Sequence, residues 1–274
     1  MPENEKPSKA RFISLSRELL PWSKPRADME TDVRYSEDEL IALLILLTNC
    51  NYKGECLFSS KSILAKYLGR KPTRMECYGF IASVKSLSNR AYEGDRIAVF
   101  ANGDMDALKP SDSLNVVVKY DFSKRYQKGV YFTNIYYDEI EKVFEASKAY
   151  SKIFSLMMCM FIFIKSHMKS IEYVDKDDGE QKIGYTTFIS RGTISKAIGI
   201  SNRTVDSYVK VMATKGIIGF KSGRRGRTPN SYTVPCNRWL IEEAERVNTE
   251  TLKEVFGYAP KRESPVRTWY GGSC

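Results

Sequence analysis

SRGTISKAIGISNRTVDSYVKVMATKGIIGFKSGRRGRTPNSYTV, residues Ser190 to Val234, reads in the order helix, tight turn, helix, strand, basic loop, strand. Ile194, Ala197 and Ile198 give the first helix one apolar side, and Gly199 marks the turn. Ser201 caps a second helix in which Val205, Tyr208, Val209 and Met212 recur at helical spacing. Gly216 ends that helix, because glycine takes the left-handed conformation of a helix end without a Cβ clash. Ile217 to Phe220 and Tyr232 to Val234 then read as two strands joined by KSGRRGRTPN.

This pattern resembles a winged helix-turn-helix, a module that lays its second helix in the DNA major groove. Charge points the same way. Between Arg191 and Asn230 nine cations stand against Asp206 alone, a net +8 of the chain's +10. Cations that displace counterions from phosphate supply sequence-independent DNA affinity. On the second helix Arg203, Asp206, Ser207 and Lys210 recur opposite the apolar side, preceded by Asn202. Arginine, asparagine and serine are residue types that read base edges, and a solvated helix face is the alternative reading. Asp206 either accepts from cytosine or pairs with Arg203 or Lys210. The expected DNA contacts are Ser201, Asn202, Arg203, Thr204, Ser207 and Lys210 on this helix, with Arg191 on the one before. Lys221, Arg224, Arg225 and Arg227 join them from the wing, where Gly223 and Gly226 let the backbone turn. GRRGRTPN lacks the Gly-Lys-Ser/Thr ending of a nucleotide-binding loop and leads into a strand.

The 274 residues are enough for two ordinary domains. Residues 1–34 read as a flexible arm, although Phe12, Ile13, Leu15, Leu19, Leu20 and Trp22 within it either pack on the first domain or dock a partner. Residues 35–135 read as a first domain, opened by a Ser36/Glu39 capping box. There SSKSILAKYLGRKPTRMECYGFIASVKSL repeats the later logic: with Gly69 on Gly199, Lys66 falls on Lys196, Leu68 on Ile198, Met75 on Val205 and Tyr78 on Tyr208. Pro72 is placed at the first helical position. Strands about 96–101 and 114–120 complete this copy. The loop between them is acidic, with Asp104, Asp106 and Asp112. Its helix pair is basic, and Lys71 and Arg74 are its expected DNA contacts, so the domain either binds DNA weakly or mediates protein contact.

Residues 136–258 form the second, main DNA-binding domain, and 259–274 a flexible tail. Within it, an apolar helix at 148–168 and a hairpin turning at Asp178-Gly179 precede the basic motif, and a helix at 238–247 follows it. The expected fold class is α+β, mainly helical, with two winged helix-turn-helix domains in tandem. Such a chain, without ATPase or ligand-binding domains, resembles the iteron-binding replication initiators of plasmids and phages. The resemblance implies that one winged helix serves dimer contact while the other reads DNA. A transcriptional regulator binding an operator is the alternative, and a protein-interaction module a further one.

The scattered cysteines and an N-terminus that does not read as a secretory leader make the expected location the cytoplasm, associated with the nucleoid. One histidine, His167, rules out a paired-histidine metal site, and the Asp104/Asp106 pair lacks a third ligand. The expectation is a protein with no cofactor, no metal and no enzymatic activity. Its expected partners are double-stranded DNA, a second copy of itself, and replication or transcription machinery, with no membrane.

Overall fold

The computed structural model describes residues 12–24, 34–90, 97–120, 131–148, 154–223, 229–256 and 268–269. The chain divides into two compact units, Met1–Met158 and Cys159–Cys274, so the division falls inside one helix.

In the first unit, helix α1 (Glu37–Asn49) starts at a full capping box. Ser36 Oγ accepts the Glu39 N–H at 3.1 Å and Glu39 accepts the Ser36 N–H at 2.7 Å. Glu39 is itself buried, and it takes Arg90 at 2.9 Å and the Ser86 hydroxyl at 2.5 Å, tying α1 to α3 (Arg74–Ser88). Helix α2 (Ser60–Leu68) lies between them in sequence. Strands β2 (Glu55–Cys56), β3 (Ile97–Ala101) and β4 (Val116–Tyr120) form an antiparallel sheet in the order β2-β4-β3. Helix α4 (Tyr137–Ser147) buries Ile140, Val143 and Phe144.

The expected loose arm is corrected over its middle part. Phe12–Ser16 forms strand β1, antiparallel to β5 (Phe132–Tyr136), and Ile13, Leu15, Leu19 and Leu20 are buried. Hydrophobic burial outweighs the arm's polar composition there.

In the second unit all the described strands join one sheet. Strands β6 (Lys169–Val174), β7 (Gln181–Ile189), β8 (Gly219–Lys221), β9 (Asn230–Val234) and β10 (Thr268–Trp269) form one antiparallel sheet in the order β10-β8-β9-β7-β6. The β6–β7 connection is a six-residue loop rather than a tight turn, closed by Asp175 N–H to Glu180 C=O at 2.9 Å. Part of the expected tail is strand β10. Helix α8 runs Arg238–Phe256, nine residues beyond the expected end. It seats Leu240, Ile241 and Ala244 on the sheet. Gly184 and Gly219 permit that approach: a Cβ on Gly184 would meet Leu240 Cδ2 at 2.4 Å, and one on Gly219 would meet Ile241 Cδ1 at 2.5 Å.

Helix α5 is described over Phe154–Ser166 and ends two residues before the expected end at 168; residues 149–153 of the expected helix lie outside the described residues. His167 follows it, its Nδ1 2.8 Å from the Phe163 carbonyl. Among the described residues ten strands in three sheets stand beside eight α-helices. The fold is therefore α+β with substantial sheet, and the mainly helical expectation is wrong. Helical periodicity is a loud signal, whereas strands such as FISLS and TW become strands only through partners far away in sequence.

Candidate nucleic-acid interface

Helix α6 (Arg191–Ile198) begins at Ser190, whose hydroxyl accepts the Thr193 N–H at 3.0 Å. It ends at Gly199, left-handed with φ 70°. Ile200 N–H bonds back to Ser195 C=O at 3.1 Å, closing the turn. Helix α7 (Asn202–Thr214) then starts at Ser201, which accepts the Thr204 N–H at 3.1 Å. Val205, Tyr208, Val209, Met212 and Ala213 bury its inner side. Gly216, at φ 65°, lets the chain leave for β8.

The opposite side of α7 exposes Asn202, Arg203, Asp206, Ser207 and Lys210 together. Among the described residues Asn202 and Arg203 have no side-chain partner. The Ser207 hydroxyl donates to Arg203 C=O at 3.0 Å, which leaves its lone pairs to accept. The Ser201 and Thr204 hydroxyls lie 2.8 Å apart and are engaged in the cap. Asp206 pairs neither with Arg203 nor with Lys210. It takes Arg191 Nη1 of α6 at 2.7 Å.

The hairpin divides by face. Phe220 and Tyr232 pair across β8 and β9 with ring centroids 5.4 Å apart. Tyr232 is fully buried, and burial raises its pKa; its hydroxyl takes an N–H from Asn230 at 3.1 Å. Asn230 Oδ1 in turn accepts the Gly223 N–H at 3.0 Å, fixing the base of the loop. Lys221, next to Phe220, points the other way by strand alternation and pairs with Glu245 of α8. Burial lowers its pKa, with Glu242 opposing. Lys221 is thus committed to α8 rather than projecting with the loop. Arg224, Arg225 and Arg227 lie outside the described residues.

In the first unit, Gly69 is again a left-handed cap, at φ 64°. The next helix cap, Thr73, comes four residues later, against two from Gly199 to Ser201. The correspondence past the glycine therefore shifts by two. Cys77, Phe80, Ile81 and Val84 occupy the buried positions of Val205, Tyr208, Val209 and Met212, while Met75 is 86% exposed. Pro72 lies before the cap, outside the helix. Part of the basic look of this pair is cancelled within the unit. Arg70 forms a fork with Glu76 at 2.6 and 3.0 Å, and Lys85 meets Asp106 at 2.5 Å. Lys71 is exposed, and Arg74 is exposed with its guanidinium 5.4 Å from the Tyr78 ring centroid.

Sequence reasoning missed Asn230, Tyr232 and Glu245. Only Asn230 left a trace, as the polar residue closing the glycine-rich loop. Among the described residues no group of three acidic, histidine or cysteine side chains could hold a metal ion. Asp175 and Asp178 both pair with Lys182 instead. No helix among them is long and apolar enough to cross a membrane. No protein-family model, curated protein or solved structure matches the chain.

Proposed function

We propose that this chain is a sequence-specific double-stranded DNA-binding protein whose second unit inserts α7 into the major groove. One observation carries the reading: α7 buries one side completely and exposes Asn202, Arg203, Ser207 and Lys210 together on the other. A helix in that setting presents base-reading groups from its first turns outward. Arg224, Arg225 and Arg227, on sequence grounds, serve as phosphate or minor-groove contacts.

The biological role proposed is that of a plasmid or phage-type replication initiator, acting by site recognition and recruitment. The first unit supports a division of labour, because Arg70 and Lys85 spend their charge on Glu76 and Asp106. It serves contact with protein, including a second copy of the chain, more than with phosphate.

Selection of the full chain against a randomised duplex pool tests the reading. Enrichment of a defined motif, with affinity falling steeply as salt rises, is expected. Failure to bind duplex DNA at low salt refutes it. Footprints on repeated sites beside an A·T-rich stretch support the initiator role, whereas a lone operator at a promoter assigns a regulator.

A further inference from the structure

Asp206 is the one carboxylate in the sequence between Arg191 and Asn230, and α7 sets it among Arg203, Ser207 and Lys210 on the exposed face. A bare carboxylate there would face phosphates and lower affinity for every sequence. It is not bare. Its Oδ2 takes an N–H of Arg191 Nη1 at 2.7 Å, bridging α7 to the first residue of α6.

Both side chains are about half exposed, 48% and 51%. An ion pair so placed adds little to stability, so its consequence lies in geometry. The hairpin is fixed separately around the buried Tyr232. Tyr232 is held through Asn230 to the backbone of Gly223 at the base of the loop. The pair itself joins the first residue of α6 to the exposed face of α7. A guanidinium offers five N–H donors in one plane. The carboxylate engages one nitrogen and orients the plane, leaving another edge for O6 and N7 of guanine.

The geometry points to Arg191 and Asp206 acting as one reading unit on duplex DNA, with Asp206 a positioning residue that aims the Arg191 guanidinium at a guanine. This rests on the DNA-binding reading proposed above. The carboxylate trades general affinity for discrimination. Without it Arg191 is released to the nearest phosphate, random-sequence affinity rises, and preference at one base pair falls.

The test is randomised-duplex selection with the full chain and with Asp206→Asn, Asp206→Glu, Arg191→Lys and the Asp206→Asn/Arg191→Lys double variant. The wild-type chain should prefer guanine at one position by at least about fivefold, the low end for a bidentate contact. Asp206→Asn and Arg191→Lys should flatten that same position and spare the others. The double variant should flatten it no further, and Asp206→Glu should restore part of the preference. Thermal unfolding of each variant shows that it is folded, and Arg191→Lys, which keeps its charge, serves alone if Asp206→Asn is not. Asp206→Asn that tightens random-duplex binding with every preference intact overturns the inference. So does flattening at all positions, which marks general misplacement of α7. A wild-type chain that enriches no motif fails the underlying reading instead, and this inference falls with it.

Discussion

Gly184→Ala probes how α8 closes on the sheet of the second unit. An added Cβ would lie 2.4 Å from Leu240 Cδ2, 2.5 Å from Cδ1 and 3.0 Å from Cγ. Leu240 is fully buried, so it has no open space to turn into. Overpacking of this kind costs about 1–3 kcal/mol. Loss of glycine's freedom in the unfolded chain returns about 0.4–1 kcal/mol, leaving a net destabilisation centred on about 1.3 kcal/mol. Leu240→Ala alone removes a buried leucine and should cost about 2–5 kcal/mol. In the double variant the alanine methyl enters the space left by Leu240, so the two costs should not add. Urea unfolding followed by tryptophan fluorescence suits the measurement, because Trp239 is on α8 beside Leu240. A Gly184→Ala chain as stable as wild type refutes the reasoning. Costs that add to within about 0.5 kcal/mol refute it equally, since independent sites behave that way.

Three further outcomes are expected. Arg203→Ala should cost about 1–3 kcal/mol of binding to the selected site and relax preference at one base position, as read by repeated selection. Lys221→Ala should leave duplex affinity unchanged in a binding titration. It should instead lower the unfolding free energy read from a urea titration by about 1 kcal/mol or less, the scale of a partly exposed ion pair. The third concerns pH. The fork from Arg70 holds the Glu76 pKa down at about 2, so its stabilisation is complete above the ordinary value of 4.5 and disappears as pH falls towards 2. Both partners are about one-third exposed, so the loss should be only about 0.5–1 kcal/mol. Urea unfolding between pH 5 and 2.5 should show wild type losing that much more stability than Glu76→Gln, since other lowered carboxylates titrate in both.

The second unit's helices were legible because their ends are written locally. Ser190 and Ser201 cap the starts, Gly199 and Gly216 mark the ends, and the apolar residues recur at one spacing. Its hairpin was legible as two strands around a glycine-rich basic loop. The direction of Lys221 was not, because its partner Glu245 lies 24 residues later on another element. Gly69 was correctly visible as a helix end, but the length of the connection after it was not. Arg-Lys-Pro-Thr precedes α3, where Ile-Ser precedes α7, so anchoring on the glycine misplaced Met75 and Tyr78 by two positions. Strand β1 was hidden for another reason. Its alternate serines look like linker, and Ser14 donates to Asn134, 120 residues away. The size of the β6–β7 loop likewise depends on Asp175, which accepts from Lys182 and from Asn237 at the start of α8.

Strand β7 pairs with β9 from Tyr185↔Val234 to Ile189↔Asn230, so α6, α7 and β8 all lie inside one chain loop clamped at its base. During synthesis the whole of α7 emerges before the strand that closes the clamp. The helix gains its final seat only once residue 234 is available, because non-local pairing must first repay the entropy of loop closure. A duplex that grips α7 therefore stabilises the closed loop as a whole, and binding energy at the helix surface is felt at the β7–β9 ladder. Slowed hydrogen exchange of the amides bonded across the β7–β9 ladder, within residues 185–189 and 230–234, on adding cognate DNA would be the signature of that coupling, at residues the DNA need never touch.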